Sequence, residues 1–149
     1  MIATEQIPFT TVRSRTEDLC KPLRTEDYVP QPVEFVSPTK WHLAHSTWFF
    51  EEFVLKQFVE NYQPFHPDYG FLFNSYYNTV GERTRRGNRG DITRPGVEEV
   101  YEYRRYVTQQ METYLAGDPD PKALGLAELG MNHEQQHQEL LMTDLKYTL

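Results

Sequence analysis

The apolar residues of this chain of 149 residues recur at helical spacing, and no stretch shows the strict alternation of a half-buried strand. Four segments carry the helical pattern, with expected bounds near Thr10–Leu23, Thr39–Phe58, Thr93–Gly117 and Pro121–Leu149. A stretch rich in Pro, Gly, Asn, Tyr and Arg, about 59–91, separates the second segment from the third, and its NSYYNTV run is a candidate short helix. We therefore predict an all-α four-helix bundle with a long loop between helices 2 and 3.

Residues at the helix starts predict where the helices are capped. Thr10 or Thr11 can cap the first helix through its hydroxyl group. Ser37 is a suitable N-cap for the second helix, because Pro38 then occupies the first helical position. Pro95 is expected in the first turn of the third helix for the same reason.

The composition is that of a folded globular domain, with 38% hydrophobic and 14% aromatic residues. The formal net charge of -7 argues against nucleic acid or an anionic membrane as the main partner. Cys20 is the single cysteine, so no internal disulfide can form, which is typical of a reducing compartment. We find no signal peptide, and no run approaches the roughly 18 apolar residues of a membrane span. We expect one cytoplasmic domain.

Three histidines lie on the expected inner faces of two helices. His133 and His137 are four residues apart, so their rings lie on one helical face with Cβ atoms about 6 Å apart. That face also carries Leu126, Leu129, Gly130, Leu140 and Leu141, with Asp144 one turn on. His45 falls on the apolar stripe of the second helix. Three imidazoles that enter one interior predict an open metal site, with positions left for water or substrate.

The alternative for each histidine is a hydrogen-bonded core residue, which is the commoner role of a single inward ring. An i, i+4 pair on a core face is harder to explain in that way, because two buried imidazoles cost free energy of desolvation unless they have partners. Addition of His45 from a second helix makes a metal site the better interpretation. We interpret His42 and His66 as exposed or hydrogen-bonded histidines.

His133 and His137 also form the H-E-x-x-H pattern of zinc metalloproteases, in which Glu134 would be the general base. We rank this interpretation last. Such proteases usually take a third ligand downstream, and only 12 residues follow His137. They also place substrate against a strand edge, and the sequence predicts no strand.

Five arginines crowd one part of the long loop in an otherwise acidic chain: Arg83, Arg85, Arg86, Arg89 and Arg94. A solvated loop explains most of them. The sharper interpretation is a carboxylate-binding group, because guanidinium groups bind carboxylates through two hydrogen bonds. Tyr76 and Tyr77, which lie nearby, either line a pocket or pack.

Four runs together resemble a known family: SPTKWHLAHSTWFFEEF, NSYYNTVGERTRRGNRG, TRPGVEEVYEYR and LGMNHEQQHQELLMTDLKY. They look like the N-terminal, DinB-like domain of the ergothioneine-biosynthesis sulfoxide synthases, also called hercynine oxygenases. The resemblance covers the chain from about Arg13 onward, with the motifs in the family's order. It implies a DinB-like four-helix bundle that binds non-haem Fe(II) through His45, His133 and His137.

The same resemblance implies substrates and a reaction. Gln136, just before the last ligand, is placed to contact hercynine (N-α-trimethylhistidine), and Arg83 and Arg86 match best the arginines that bind the carboxylates of the thiol. The implied reaction depends on O2 and joins cysteine or γ-glutamylcysteine to the imidazole ring of hercynine as a sulfoxide. Family members continue into a second domain, similar to formylglycine-generating enzymes, which supplies the catalytic tyrosine. We therefore expect residues 1–149 to be one truncated domain that holds the metal and no catalytic residue.

Two other functions stay open from the sequence. The first is a stand-alone DinB-type thiol transferase or hydrolase that uses zinc or nickel, since three imidazoles accept those ions as well as iron. The second is a non-catalytic helical binding module whose histidines belong to the core. Neither the thiol donor nor the oligomeric state follows from these residues.

Overall fold

A computed structural model of the chain describes residues 8–74 and 86–149. Four long helices organise this part: α1 (Phe9–Leu19), α2 (Thr39–Phe50), α3 (Val97–Ala116) and α4 (Pro121–Thr148). The shorter elements are the 3-10 turns Thr25–Tyr28 and Arg86–Asp91, the π-helical turn Glu51–Leu55, the turn Lys56–Phe58 and the helix Tyr69–Leu72. The described residues form no strand, so the predicted all-α bundle is confirmed. Within these residues no helix combines the length and the hydropathy that a membrane span requires.

The helix α2 lies at the centre and packs against both α3 and α4. The helix α1 also packs against α4 and α3. All 12 residues of α2 are buried. Its polar side chains therefore need partners inside the protein, because an unpaired buried polar group costs free energy. This requirement fixes much of the hydrogen bonding described below.

The expected cap and end of α1 were wrong, although its start at Phe9 lies one residue from the expected Thr10. Pro8 occupies the N-cap position and no side chain caps the helix, so Thr10 and Thr11 lie within its first turn. The helix ends at Leu19, four residues before the expected Leu23. A turn follows at once, and Pro22 in it has no N–H with which to continue the helical ladder.

The helix α2 begins at Thr39 as expected, but its cap differs from the prediction, and so does the start of α3. Pro38 is itself the N-cap residue of α2, in extended conformation, and Ser37 does not cap the helix. The Ser37 hydroxyl accepts a hydrogen bond from Arg89 at 2.8 Å instead. Pro95 precedes α3 rather than lying in its first turn, because Gly96 is the N-cap. The predicted end of α3 at Gly117 is confirmed, as is the start of α4 at Pro121.

The buried face of α4 differs from the face that its leucines predict. Leu129 and Leu140 are 53% and 46% exposed, so neither lies in the core as expected. Small residues take their place where α4 meets α2. A methyl group on Gly130 would lie 2.5 Å from Cε1 of Phe50, so only glycine allows this close approach.

A buried cluster of charges joins α1, α3 and α4. Glu134 is fully buried, and its carboxylate accepts hydrogen bonds from Arg13 at 2.7 Å, Thr16 at 2.6 Å and Arg104 at 2.9 Å. Burial would raise the pKa of Glu134, but the two guanidinium groups and the hydrogen bonds outweigh it and lower that pKa to about 2. Glu134 is therefore a structural anion that ties three helices together.

The segment after α2 folds back onto it. Phe65 donates its backbone N–H to the carboxylate of Glu51 at 3.1 Å. Further along, Gly70 accepts a hydrogen bond from Nε1 of Trp48 at 3.1 Å. These contacts hold the backbone of this segment against Trp48 of α2 and against Glu51, in the π-helical turn that follows α2.

Candidate metal centre

The helices α2 and α4 bring His45, His133 and His137 together, as the sequence predicts. One ring nitrogen of each lies within 4.8 Å of the others. All three side chains are buried, with exposed fractions of 0%, 8% and 6%. The i, i+4 spacing on α4 places His133 and His137 with ring centroids 4.6 Å apart, and α2 inserts His45 between them and its two tryptophans.

His45 is held in one orientation by stacking and by one hydrogen bond. Its ring lies between Trp41 and Trp48, with centroid distances of 4.3 and 5.1 Å and interplanar angles of 16°. Its Nδ1 is 2.6 Å from the carbonyl oxygen of Phe73. A carbonyl only accepts, so Nδ1 carries the hydrogen and the lone pair is on Nε2. Metal-binding histidines typically donate their other nitrogen in this way.

His137 is oriented by a side chain that the sequence did not assign to the site. Its Nδ1 lies 2.9 Å from Nδ1 of His42, and Nε2 of His42 lies 2.7 Å from the carboxylate of Asp144. The interpretation of His42 as hydrogen-bonded is thus confirmed, but its partner is one of the predicted ligands. The sequence does contain one sign of this arrangement, because Asp144 lies on the same face of α4 as His137, two turns further along.

His133 shows the strongest sign of an additional binding partner. Neither ring nitrogen has a hydrogen-bond partner among the described residues, although the side chain is 8% exposed. Its ring stacks on Phe49 with a centroid distance of 4.9 Å, which satisfies the ring face but neither nitrogen. Two unsatisfied buried nitrogens are costly, and a metal ion would satisfy one of them. The donor set therefore fits a metal.

The electrostatics keep all three rings neutral, which is the form that binds metal. Burial lowers the pKa of His45 well below its usual value, and the neighbouring His137 and His133 lower it further. Burial lowers the pKa of His133 to about 4. Burial, with His42 and His133 nearby, lowers the pKa of His137 to about 2. At neutral pH each ring therefore retains a nitrogen lone pair.

Glu134 does not act as a protease-type general base in this arrangement. Both of its carboxylate oxygens accept hydrogen bonds from Arg13, Thr16 or Arg104, on the side of α4 that faces α1 and α3. With a pKa of about 2, the carboxylate is also a weak base. The match to H-E-x-x-H therefore reflects two metal-type histidines that flank a structural anion.

The predicted substrate-binding residues lie only partly within the described structure. Gln136 is exposed on α4, one residue before His137. Arg83, Tyr76 and Tyr77 lie outside the described residues, and of Arg86 only the backbone is described. These assignments stay predictions.

Among the loop arginines whose side chains the structure describes, Arg89 lies against a tryptophan that contacts the histidine cluster. Its guanidinium carbon lies 3.5 Å from the ring centroid of Trp41, on which His45 also stacks. The sequence did not single it out among the five arginines. A cation over a tryptophan face is favourable, so Arg89 helps to fix the ring that orients His45.

Comparison with known protein families gives a match over most of the chain. The model of the DinB superfamily matches residues 9–141, a range that contains all four long helices in whole or in part and all three histidines. No curated protein matches the chain significantly.

Proposed function

We propose that this chain, which belongs to the DinB superfamily, binds one Fe(II) ion through His45, His133 and His137 as the metal-binding part of an O2-dependent sulfoxide synthase. The observation that carries the metal site is the convergence of three buried, neutral imidazoles, one of which has two unsatisfied nitrogens. The choice of iron and of this reaction depends on the four sequence runs that resemble hercynine oxygenases.

The ligand set suits this chemistry. Three neutral histidines add no negative charge and leave part of an ion's coordination shell for other ligands. When bound, the iron would supply the redox chemistry with O2 by which a thiol and the imidazole ring of hercynine are coupled. In the balanced reaction the thiol S–H and the ring C–H bonds break and a C–S bond forms. One oxygen atom of O2 ends on sulfur and the other leaves as water.

The surrounding side chains would orient the ligands and the substrates. Trp41 and Trp48 hold the plane of His45 and keep water from its faces, because both rings are buried. In the proposal Gln136 contacts hercynine, and Arg83 and Arg86 bind the carboxylates of cysteine or γ-glutamylcysteine. A second domain of the formylglycine-generating type would supply the catalytic tyrosine and complete the substrate pocket.

The metal site is tested by purification under anaerobic conditions and metal analysis. We expect about one ion per chain in the wild type, and none in His137→Ala with helical content unchanged. His66→Ala is the matched control, because His66 is a half-buried histidine outside the cluster and should leave the metal content unchanged. A wild-type chain that folds and takes up no metal would refute the site.

The reaction is tested on the product of the complete gene. We expect O2-dependent coupling of hercynine with cysteine or γ-glutamylcysteine, detected by mass spectrometry as a sulfoxide, and a raised KM for the thiol in Arg86→Ala. A protein that holds zinc or nickel and transfers thiols without O2 would instead establish the transferase alternative. A reading frame without a second domain would also count against the sulfoxide synthase.

A further inference from the structure

Three side chains form a continuous line behind one of the proposed ligands. Asp144 on α4 accepts from His42 on α2 over 2.7 Å, and His42 in turn lies 2.9 Å from Nδ1 of His137. His42 is 4% exposed and Asp144 is 9% exposed. The backbone N–H of Ser37 donates to the same carboxylate oxygen at 3.0 Å, so that oxygen is fixed as an acceptor.

The chemistry of these groups permits one arrangement of hydrogens when His42 is neutral. A carboxylate only accepts, so Nε2 of His42 carries the hydrogen and its Nδ1 carries the lone pair. Nδ1 of His137 must then be the donor between the two rings. The lone pair of His137 is consequently on Nε2, the nitrogen that remains for an ion.

The reverse arrangement disables the ligand. A hydrogen on Nδ1 of His42 would place two acceptors against each other at Asp144. It would also make Nδ1 of His137 the acceptor and put the hydrogen on Nε2, where it blocks metal binding. Which of the two arrangements forms depends on whether a hydrogen-bond acceptor lies next to Nε2 of His42.

We propose that Asp144 and His42 are positioning residues that fix His137 in the tautomer whose Nε2 binds the ion. The inference depends on the proposed metal centre and adds to it the residues that prepare one ligand. The two ligands His45 and His137 differ in the kind of group that sets their tautomer. The tautomer of His45 is set by the backbone carbonyl of Phe73, which persists whatever side chain position 73 carries, whereas that of His137 is set by two replaceable side chains.

The tautomer can be measured in the metal-free protein, apart from any question of metal binding. In long-range 1H–15N NMR spectra of the wild type we expect a protonated Nδ1 and an unprotonated Nε2 on His137. In Asp144→Leu the acceptor is gone, and we expect the two tautomers of His137 to become mixed. A wild-type His137 that carries its hydrogen on Nε2 would overturn the proposal.

Metal affinity provides the second measurement. Fe(II) is titrated anaerobically against a competing chelator, and we expect Kd to rise about 10- to 100-fold in Asp144→Leu. Asp144→Asn should stay within a few-fold of the wild type, because the N–H of Ser37 orients the amide oxygen as an acceptor for His42. Glu139→Leu is the matched control, since it removes a charge from an exposed position of the same helix.

The outcomes separate the relay from the metal centre. A merely structural Asp144 would lower the melting temperature of Asp144→Leu and leave both the tautomer of His137 and the Kd of the folded protein unchanged, which would refute the relay alone. A wild-type chain that binds no Fe(II) would refute the proposed function. A shifted tautomer, a weakened Kd and rescue by asparagine together support the relay.

Discussion

Replacement of Glu134 by glutamine should be among the most destabilising of the substitutions that keep the size of a side chain. The substitution keeps the size of the side chain and removes its charge. Arg13 and Arg104 then remain buried, and Glu17, whose side chain is 41% exposed, is the carboxylate still bonded to Arg104. The NH2 group of the new amide would also face hydrogen-bond donors, whereas the carboxylate accepted hydrogen bonds from three groups.

Two routes give the size of the effect. Loss of one partner from a buried ion pair typically costs about 3–5 kcal/mol. Independently, a pKa lowered from 4.5 to about 2, at about 1.4 kcal/mol per tenfold change in ionisation, corresponds to about 3 kcal/mol of preference for the charged form. We therefore expect the free energy of unfolding to fall by about 3–5 kcal/mol in Glu134→Gln.

Urea unfolding of the metal-free protein at pH 7 measures this difference. With a slope of about 2 kcal/mol per molar urea, the midpoint should fall by roughly 2 M. Glu139→Gln, on the exposed side of α4, is the matched control and should change little. Should Glu134→Gln fail to fold, Thr16→Val should still cost about 1.5–3 kcal/mol, because it removes the hydrogen bond that Thr16 donates to the same carboxylate and the one that it accepts from Gln138.

The pH dependence provides a check on the cause. The pKa of Glu134 is lowered in the folded state, so its contribution is complete above the unfolded value of 4.5 and is lost as pH falls toward about 2. The difference between wild type and Glu134→Gln should therefore shrink across that range. A loss below 1 kcal/mol at pH 7, or a difference that does not change with acid, would refute the reasoning.

Other predictions concern packing, acid and thiol chemistry. Gly130→Ala should lower the free energy of unfolding by up to about 2 kcal/mol, because the added methyl group meets Phe50. Gly125 has open space around it, so Gly125→Ala should raise the free energy of unfolding by up to about 1 kcal/mol. Thermal unfolding of the two variants measures both effects. The metal-free chain should lose stability as pH falls below 6.5, because the folded state lowers the pKa of all three histidines, that of His133 to about 4. His133→Phe should make the fall of the melting temperature between pH 6.5 and 4 less steep without abolishing it, since His45 and His137 remain. Cys20, fully buried and with its pKa raised by burial to about 11, should react with a thiol reagent only after unfolding; reaction at the same rate in native buffer would contradict its placement.

Sequence patterns were sufficient for the helices and for the three histidines. The spacing of His133 and His137 and the position of His45 on an apolar stripe gave the cluster, because helical periodicity fixes which side chains share a face. The family resemblance indicated the same bundle. These features depend on local geometry, which a sequence expresses directly.

Features that depend on contacts between distant segments could not be found in the same way. Glu134 has its partners on α1 and α3, and no local pattern pairs it with Arg13 or Arg104. The face of α4 was misjudged because leucines at 129 and 140 outweighed the small residues that close packing requires. The role of Ser37 was misjudged because Arg89, 52 residues away, takes its hydroxyl.

Complete burial of α2 affects how the protein opens. Because all residues of this helix are buried, its amide hydrogens should exchange with solvent only when the whole domain unfolds. His45 therefore lies on the part of the chain that opens last. Local motions of α2 would therefore not move this ligand away from an ion that the three histidines hold.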